Sequence, residues 1–389
     1  DYDGDGDVDL YVTNWGAAQQ PPPDRLYRNE LDGSVGVVFA DVSVDLGLTV
    51  ASNSTSAAWA DFDNDGDLDL YVADFYEQDF LYQGDGGQSF TEVGRVRGMV
   101  NLIKLGSVFS VGWGDYDNDG FLDIYLGKYY YDNELYHNTG EGLLEPVVDL
   151  GVGDKRDTNG LTWVDYDNDG DLDLYLANVG ANALYRNDGD EVFQDVASEA
   201  GIRIHTAGWL TAMAAWADYD GDGWLDLYLA NGGDREPQRD VLYAANGDLT
   251  FRNATVEANL PTSASAHMST GFADYDGNAS PDLYVTDGWG IGNQLFQNDT
   301  PGSRFIKVFA RGKGGQQGGT NLDGVGARIS LFDNSDQLVA FRQAGAPNGV
   351  VFGVQEGQTY NIQVRFPGSA AAVTASGLQG GEQITVVEP

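Results

Sequence analysis

The sequence predicts an all-β chain: a β-propeller of four-stranded blades, followed by a small β-sandwich or β-barrel. Three observations predict it. An acidic twelve-residue string occurs six times, strand-period alternation flanks each copy, and segments with helical period are almost absent.

The string DYDGDGDVDLYV at Asp1 returns as DFDNDGDLDLYV at Asp61, DYDNDGFLDIYL at Asp115, DYDNDGDLDLYL at Asp165 and DYDGDGWLDLYL at Asp218, then in degraded form as DYDGNASPDLYV at Asp274. Copies begin 50 to 60 residues apart, too long for leucine-rich or ankyrin repeats and suited to one propeller blade each. A short apolar run precedes each loop, with an aromatic residue two positions before the first Asp: Trp59, Trp113, Trp163, Trp216 and Phe272. After the loop, LDLYV-like segments alternate apolar and polar residues as a strand does. A further short strand follows, RLYRN at Arg25, FLYQG at Phe80, ELYHN at Glu134, ALYRN at Ala183, VLYAA at Val241 and QLFQN at Gln294. Glycine with Asn or Asp then marks a hairpin, and another strand opens at Phe39, Phe90, Phe193 or Phe251. Six repeats predict six or seven blades. Burying aromatic rings is how such sheets stack, so the Trp, Tyr and Leu positions read as packing between blades.

Composition narrows the function. Against 20 Lys and Arg stand 61 Asp and Glu, a net charge of −41 that repels nucleic acid and anionic lipid. The chain is nonetheless 42% hydrophobic and 12% aromatic, too apolar for an acidic disordered tail. No apolar run reaches the roughly 18–20 residues of a membrane span, so no membrane insertion is expected. There is no cysteine for disulfides or thiolate metal sites, and His137, His205 and His267 lie on unrelated segments.

The acid is concentrated where it can be used. The spacing D-x-D-x-D-G-x-x-D places carboxylates at positions 1, 3, 5 and 9 of a nine-residue loop, with a backbone carbonyl available at position 7. A hard cation with six to eight oxygen ligands wants this donor set, and calcium suits it better than magnesium, which keeps more of its water. The candidate ligands are Asp1, Asp3, Asp5, Asp7 and Asp9; Asp61, Asp63, Asp65, Asp67 and Asp69; Asp115, Asp117, Asp119, Phe121 and Asp123; Asp165, Asp167, Asp169, Asp171 and Asp173; and Asp218, Asp220, Asp222, Trp224 and Asp226. In each set the fourth residue named contributes its main-chain carbonyl. The sixth set, Asp274, Asp276, Asn278 and Asp282, is weaker because Asn278 replaces an Asp, Ala279 the glycine, and Pro281 stiffens the approach. Five strong calcium sites and a weak sixth are expected. An EF-hand is excluded because its twelfth position, normally Glu, is Val12, Val72, Leu126, Leu176 and Leu229. Without a cation, two carboxylates about 5 Å apart repel by roughly 3 kcal/mol at an effective dielectric near 20. Loops of this kind fill where calcium is plentiful, which implies an extracellular or cell-surface protein.

The whole unit resembles the FG-GAP/VCBS repeats that form the propellers of integrin alpha chains and of many secreted bacterial proteins. The resemblance covers residues 1 to about 300 and implies calcium at loops on one edge of the blades. From residue 301 to 389 the repeat stops. FIKVFARG, the G-A-R turn at Gly326, Ala327 and Arg328, YNIQVRFPG from Tyr360 and the terminal TVVEP resemble the ASPIC/UnbV domain, which commonly follows such repeats. Asp323 and Arg328 are read as a turn and a surface charge rather than a site.

The strand that should precede Asp1 is absent, so the first blade has an open edge. An upstream segment, the chain's own C-terminal part or a neighbouring molecule could fill it by strand addition, and a neighbour would make an oligomer or filament. The functional expectation is a secreted, non-enzymatic, calcium-stiffened propeller in adhesion, scaffolding or matrix assembly. The alternative is a module recognising an extracellular protein or glycan, with Trp15, Tyr129, Tyr130 and Trp289 available to stack on sugars. An enzyme acting on polysaccharide is the least favoured reading, since 61 acids make paired carboxylates uninformative. Sequons stand at Asn53, Asn253, Asn278 and Asn298.

Overall fold

A computed structural model describes residues 1–389 apart from 17–20, 33–35, 50, 100–106, 190–191, 204–209, 233–236, 289, 291, 316–318, 346–348 and 370. His205 and Trp289 fall outside the described residues.

Six antiparallel sheets follow one another in chain order, each a meander whose strands pair with their sequence neighbours. Blade 1 comprises Leu10–Val12, Arg25–Asp32 and Gly36–Asp41; blade 2 comprises Ser54–Ala60, Asp69–Asp74, Phe80–Gly84 and Phe90–Glu92. Blade 3 contains Ser107–Gly114, Asp123–Tyr129, Glu134–Asn138 and Leu144–Val147, and blade 4 Thr158–Val164, Asp173–Asn178, Ala183–Arg186 and Gln194–Asp195. Blade 5 contains Thr211–Ala217, Asp226–Asn231, Val241–Ala245 and Phe251–Asn253, and blade 6 His267–Ala273, Asp282–Asp287 and Gln294–Phe296.

Register fixes where the acid goes. Ala60 pairs with Asp69, Gly114 with Asp123, Val164 with Asp173, Ala217 with Asp226 and Ala273 with Asp282. In blades 2 to 6 the acidic loop is therefore the turn between the first and second strands, and its ninth residue opens the second strand. All the loops end up on the same face of the blade array.

Alternation along each second strand sends one set of side chains to the preceding blade and the other to the following one. Leu70 and Val72 pack with Tyr2, Leu26 and Val42 of blade 1, whereas Tyr71 and Ala73 join Ile124, Leu126 and Tyr136 of blade 3. The tryptophans lie in these interfaces. Trp59 stacks on Tyr2 at 6.5 Å and 17°, Trp113 on Phe62 at 6.4 Å and 20°, and Trp163 on Tyr116 at 6.5 Å and 16°.

Among the described residues blade 1 has three strands. Blade 6, among the same residues, also has three where four were expected, because after Phe296 the chain passes through a 3-10 turn at Gly302–Arg304 into a new sheet. The C-terminal part does not fill blade 1. Gln383–Val387 runs parallel to Phe305–Arg311 in a sheet with Val350–Gly353, and faces a second sheet of Leu338–Gln343, Arg328–Phe332, Tyr360–Arg365 and Ala372–Leu378. These two sheets form a sandwich around Ile306, Ile329, Leu331, Phe352, Ile362 and Val364.

A second repeated device holds the opposite end of the blades. The Asx before each L-Y or L-F pair accepts a hydrogen bond from the backbone N–H that ends the previous strand: Asp24 from Asn14 at 2.7 Å, Asp79 from Asp74 at 2.7 Å, Asn133 from Lys128 at 2.7 Å and Asn182 from Asn178 at 2.9 Å. Asp240 does so from Asn231 at 2.8 Å and Asn293 from Asp287 at 3.1 Å. The tyrosine of the LDLY strand then bonds the same Asx, as Tyr71 does to Asp79 at 2.8 Å and Tyr228 to Asp240 at 2.7 Å. Since both partners are buried, Asp79→Ala is expected to cost about 3 kcal/mol and Tyr71→Phe about 1 kcal/mol. Urea unfolding of both single variants and the double variant checks this: the double should cost clearly less than the sum, and strict additivity would show that the two groups do not act together.

Candidate metal centres

The nine-residue turn is held open by its own backbone. Position 6 donates to the Oδ2 of position 1, as Gly6 does to Asp1 at 2.9 Å, Gly66 to Asp61 at 3.1 Å and Gly223 to Asp218 at 2.8 Å. Position 7 donates to position 5, with Asp67 to Asp65 at 3.0 Å and Asp171 to Asp169 at 2.9 Å. Position 9 accepts one hydrogen bond on each oxygen and keeps a further lone pair on each: Asp69 accepts from Phe62 N–H at 2.9 Å and Gly84 N–H at 3.0 Å, tying the loop to the third strand. Glycine at position 6 is required by φ values of 93° at Gly66 and 100° at Gly170. Position 4 is also left-handed, with Asn64 at 54°, Asn118 at 63° and Asn168 at 60°, which explains why only Gly or Asn stands there.

This scaffold leaves a particular set of oxygens over. Asp1 Oδ1, Asp61 Oδ1, Asp63 Oδ1, Asp115 Oδ1, Asp167 Oδ1, Asp220 Oδ1 and Asp274 Oδ1 are all buried without a hydrogen-bond partner. Every one is a position 1 or position 3 carboxylate. Asp61, Asp63 and Asp69 present ligand oxygens within 4.8 Å of one another, as do Asp165, Asp167 and Asp173, Asp1, Asp3 and Asp5, and Asp115, Asp117 and Asp119. Burial, reinforced by the neighbouring carboxylates, raises Asp61, Asp165, Asp167 and Asp218 to about 7, and Asp63 and Asp115 to about 6. Buried, unpartnered carboxylate oxygens converging on one point fit a hard divalent cation. Positions 1, 3, 5 and 9 would supply side-chain oxygens. Asp5, Asp65, Asp119, Asp169 and Asp222 at position 5 face solvent, as does Asp117 at position 3.

The predicted weak loop is built differently. Lys307 Nζ lies 3.0 Å from Asp274 Oδ2, while Gln297 donates to Asp276 at 2.7 Å. Asn278 keeps the turn by accepting from Ser280 N–H at 2.7 Å, and Ala279 takes the glycine position at a φ of 74°. A cationic side chain thus already sits against the sixth loop.

Three further features were not anticipated. The residue after the L-Y pair reaches back to position 3: Gln83 donates to Asp63 at 2.7 Å, where Arg97 also binds at 3.2 Å, and His137 lies 3.2 Å from Asp117. Arg328 is not a surface charge. Its Nη1 is 3.6 Å from Asp115 Oδ2, its Nη2 donates to Gly170 O at 2.9 Å, and its guanidinium lies 4.2 Å above Phe341. Asp323 is buried and paired with Arg311 at 3.2 Å. The sandwich therefore rests on the acidic-loop face, where Gly353 approaches so closely that a Cβ would overlap Asp218 Oδ2.

At the other end of the blades, Trp15, half exposed, joins Phe75 at 4.8 Å and Tyr76 at 6.0 Å, and Phe75 reaches Tyr129 at 6.0 Å. Tyr130 continues the cluster at 5.9 Å. The structure thus gathers three of the four loop aromatics.

The family of FG-GAP-like repeats matches the chain over residues 1–72, 61–126, 115–176, 165–229 and 218–285. The chain belongs to this family. FG-GAP repeats commonly bind calcium, in keeping with the oxygens just described. No curated protein matches the chain. Among solved structures it is similar to an Agrocybe aegerita lectin that recognises non-reducing terminal N-acetylglucosamine, at 15% identity and TM-score 0.43 over 75% of this chain and 81% of that one. It is also similar to PorZ, a surface component of the type-IX secretion system of Porphyromonas gingivalis, at 10% identity and TM-score 0.40 over 95% of this chain and 57% of that one. A Photorhabdus luminescens Tc holotoxin pore matches at 13% identity and TM-score 0.39 over 94% of this chain and 19% of that one. Among the described residues no helix is long and apolar enough to cross a membrane.

Protons compete with a cation for carboxylates whose pKa is raised into the range of 6 to 7. Apparent calcium affinity of the FG-GAP loops should therefore fall about tenfold per pH unit and per proton displaced between pH 7 and pH 5. Calcium titration at pH 7.5 and 5.5 checks this, and equal affinities would contradict it.

Proposed function

We propose that this chain is a secreted, non-enzymatic, calcium-stiffened propeller serving as an adhesive or scaffolding element at the cell surface or in extracellular matrix. On this reading residues 1–300 are the propeller, and residues 301–389 are an ASPIC/UnbV-like β domain docked on its calcium face. The observation that carries it is the recurrence of buried, unpartnered carboxylate oxygens in equivalent positions of successive loops. Such loops are self-repelling without a cation and act as staples with one, in a chain with no cysteine. Five loops are assigned to calcium. In the sixth, Lys307 takes the cation's place.

The scaffolding part of the proposal draws on two exposed sheet faces. Leu295 is 51% exposed and Tyr284 43%, whereas their counterparts in blades 2 to 5, such as Leu81 and Tyr71 at 1%, are buried against the following blade. On blade 1, Leu10 is 48% exposed, while its counterparts Leu70, Ile124, Leu174 and Leu227 are fully buried against the preceding blade. The two faces are the two halves of the interface that adjoining blades make repeatedly within the chain. Blade 1 of a second copy therefore fits blade 6 of the first, and a head-to-tail contact of this kind propagates unless it closes.

A recognition role is the second reading. The half-exposed Trp15, Phe75, Tyr76, Tyr129 and Tyr130 cluster favours it, since such rings offer a large apolar surface for a protein or glycan partner.

Negative-stain microscopy and sedimentation in millimolar calcium distinguish the two readings. Assembly is expected for the wild-type chain and should be abolished by Leu295→Asp, an exposed position whose change leaves the fold intact. Single particles for both proteins would sink the assembly reading and leave the recognition one.

A further inference from the structure

Blade 6 ends one strand short among the described residues, and a groove of about 710 Å³ lies beside its last strand. The groove is set between blade 5 and the outer edge of Gln294–Phe296, and Tyr219, Leu260, Phe272 and Phe296 line it.

Blades 2, 4 and 5 show what belongs in that position. Each fourth strand opens with a phenylalanine whose ring enters one recurring seat between blades. Phe90 lies 5.9 Å from Tyr2 and 5.8 Å from Trp59, and Phe193 lies 6.1 Å from Tyr116 and 6.3 Å from Trp163. Phe251 lies 6.3 Å from Tyr166 and 5.9 Å from Trp216. Beneath these rings Tyr2, Tyr116 and Tyr166 are buried, as are Leu48, Val152 and Ile202 beside them. Tyr219 and Leu260 hold the same positions at the blade 6 groove, yet both are partly exposed. The seat is formed and solvent reaches it.

Main-chain groups repeat the pattern. The phenylalanine N–H donates to a carbonyl in the turn that ends the preceding blade: Phe90 to Leu46 at 2.9 Å, Phe193 to Leu150 at 3.0 Å and Phe251 to Ala200 at 2.9 Å. Three residues on, another N–H donates to the leucine carbonyl of the third strand: Val93 to Leu81 at 2.8 Å, Val196 to Leu184 at 2.7 Å and Ala254 to Leu242 at 2.8 Å. The corresponding acceptors at the groove are Ala258 O and Leu295 O, and among the described residues no fourth strand reaches them. Gln297 holds the position of Ala244, which pairs with Arg252 in blade 5.

We infer that this groove binds an extended segment of a partner polypeptide, which pairs antiparallel with Gln294–Phe296 as the fourth strand of blade 6. Its first residue is aromatic and fills the seat against Tyr219 and Phe272. Its fourth is small or β-branched, as Val93, Val196 and Ala254 are, and donates its N–H to Leu295 O. A strand is specified because the carbonyls recur at the spacing of alternate residues along an edge. A second copy is poorly placed to be the donor. Its phenylalanine strands are already paired within their own blades, including Gly36–Asp41, whose Phe39 is exposed. The groove is distinct from the flat sheet face offered to blade 1 of another copy, and binding there does not depend on assembly.

The probe is the acetylated and amidated peptide FRNATVEANL, the sequence of Phe251–Leu260, which carries no net charge. Calorimetric titration into the calcium-loaded full chain should give a Kd of about 100 µM or below. Phe251→Ala within the peptide should weaken binding about tenfold or more. N-methylation at Arg252 removes an N–H directed at Gln297 O and should abolish binding, whereas N-methylation at Asn253, directed at solvent, should leave it within about twofold. In the chain, Leu260→Arg puts a charged side chain in the seat and should abolish binding; the peptide variants keep the test decisive if that change disturbs folding. No binding of the parent peptide at about 1 mM would overturn the proposal, as would equal losses from the two N-methylated peptides or binding unchanged by Phe251→Ala. Dissociation of assembled chains by the peptide, seen by sedimentation, would make a second copy the occupant and overturn the choice of a different partner. Each of these results leaves the calcium reading of the loops untouched.

Discussion

Blades 2 to 5 turn from their first strand to their second around buried carboxylates that repel one another and are pushed toward neutrality in the absence of a cation. That constraint organises much of the molecule. Position 9 ties the turn to the third strand, position 1 is pinned by the N–H of position 6, and positions 1 and 3 are left with oxygens that nothing in the protein satisfies. Burial pushes these groups up toward neutrality, and in the absence of a cation their contribution to stability is lost as pH rises through about 6 to 7. With a bound cation the same groups become the staples of a chain that has no disulfide.

The sandwich is fitted to that face by charge as well as shape. Arg328 approaches Asp115, Lys307 approaches Asp274, and Arg342 reaches Asn168 between the fourth and fifth loops. The degraded sixth loop and Lys307 make sense together: where the sequence has given up an Asp and a Gly, a lysine from the neighbouring sheet supplies positive charge. The close approach of Gly353 to Asp218 and of Gly315 to Gly66 shows that main chain, not only side chains, lies against the loops.

Much of the site was legible because its chemistry is local. All the carboxylates that a loop brings together lie within nine residues, so spacing alone pointed to the cluster, and period-2 alternation placed the loop between two strands. The interblade role of Trp59, Trp113 and Trp163 was legible for the same reason. Contacts between distant segments were not. Arg328 follows a Gly-Ala turn and reads as a surface charge, since nothing near it points to Asp115 more than 200 residues earlier. Lys307 and Arg342 were invisible on the same ground. The Asx before each L-Y pair was in plain view, but its acceptor role depends on the return of the chain to the end of the previous strand. The fourth strand of blade 6 was wrongly expected because the repeat pattern persists to Phe296, whereas the chain leaves the blade just afterwards.

The most direct test of the account is thermal unfolding in millimolar calcium and again in excess chelator at the same pH and ionic strength. The account predicts a large fall in melting temperature on chelation, by well over about 10 °C for several sites each linked to folding. The same melting temperature in both conditions would contradict it, because the buried carboxylate oxygens would then have to be satisfied by something other than a metal ion.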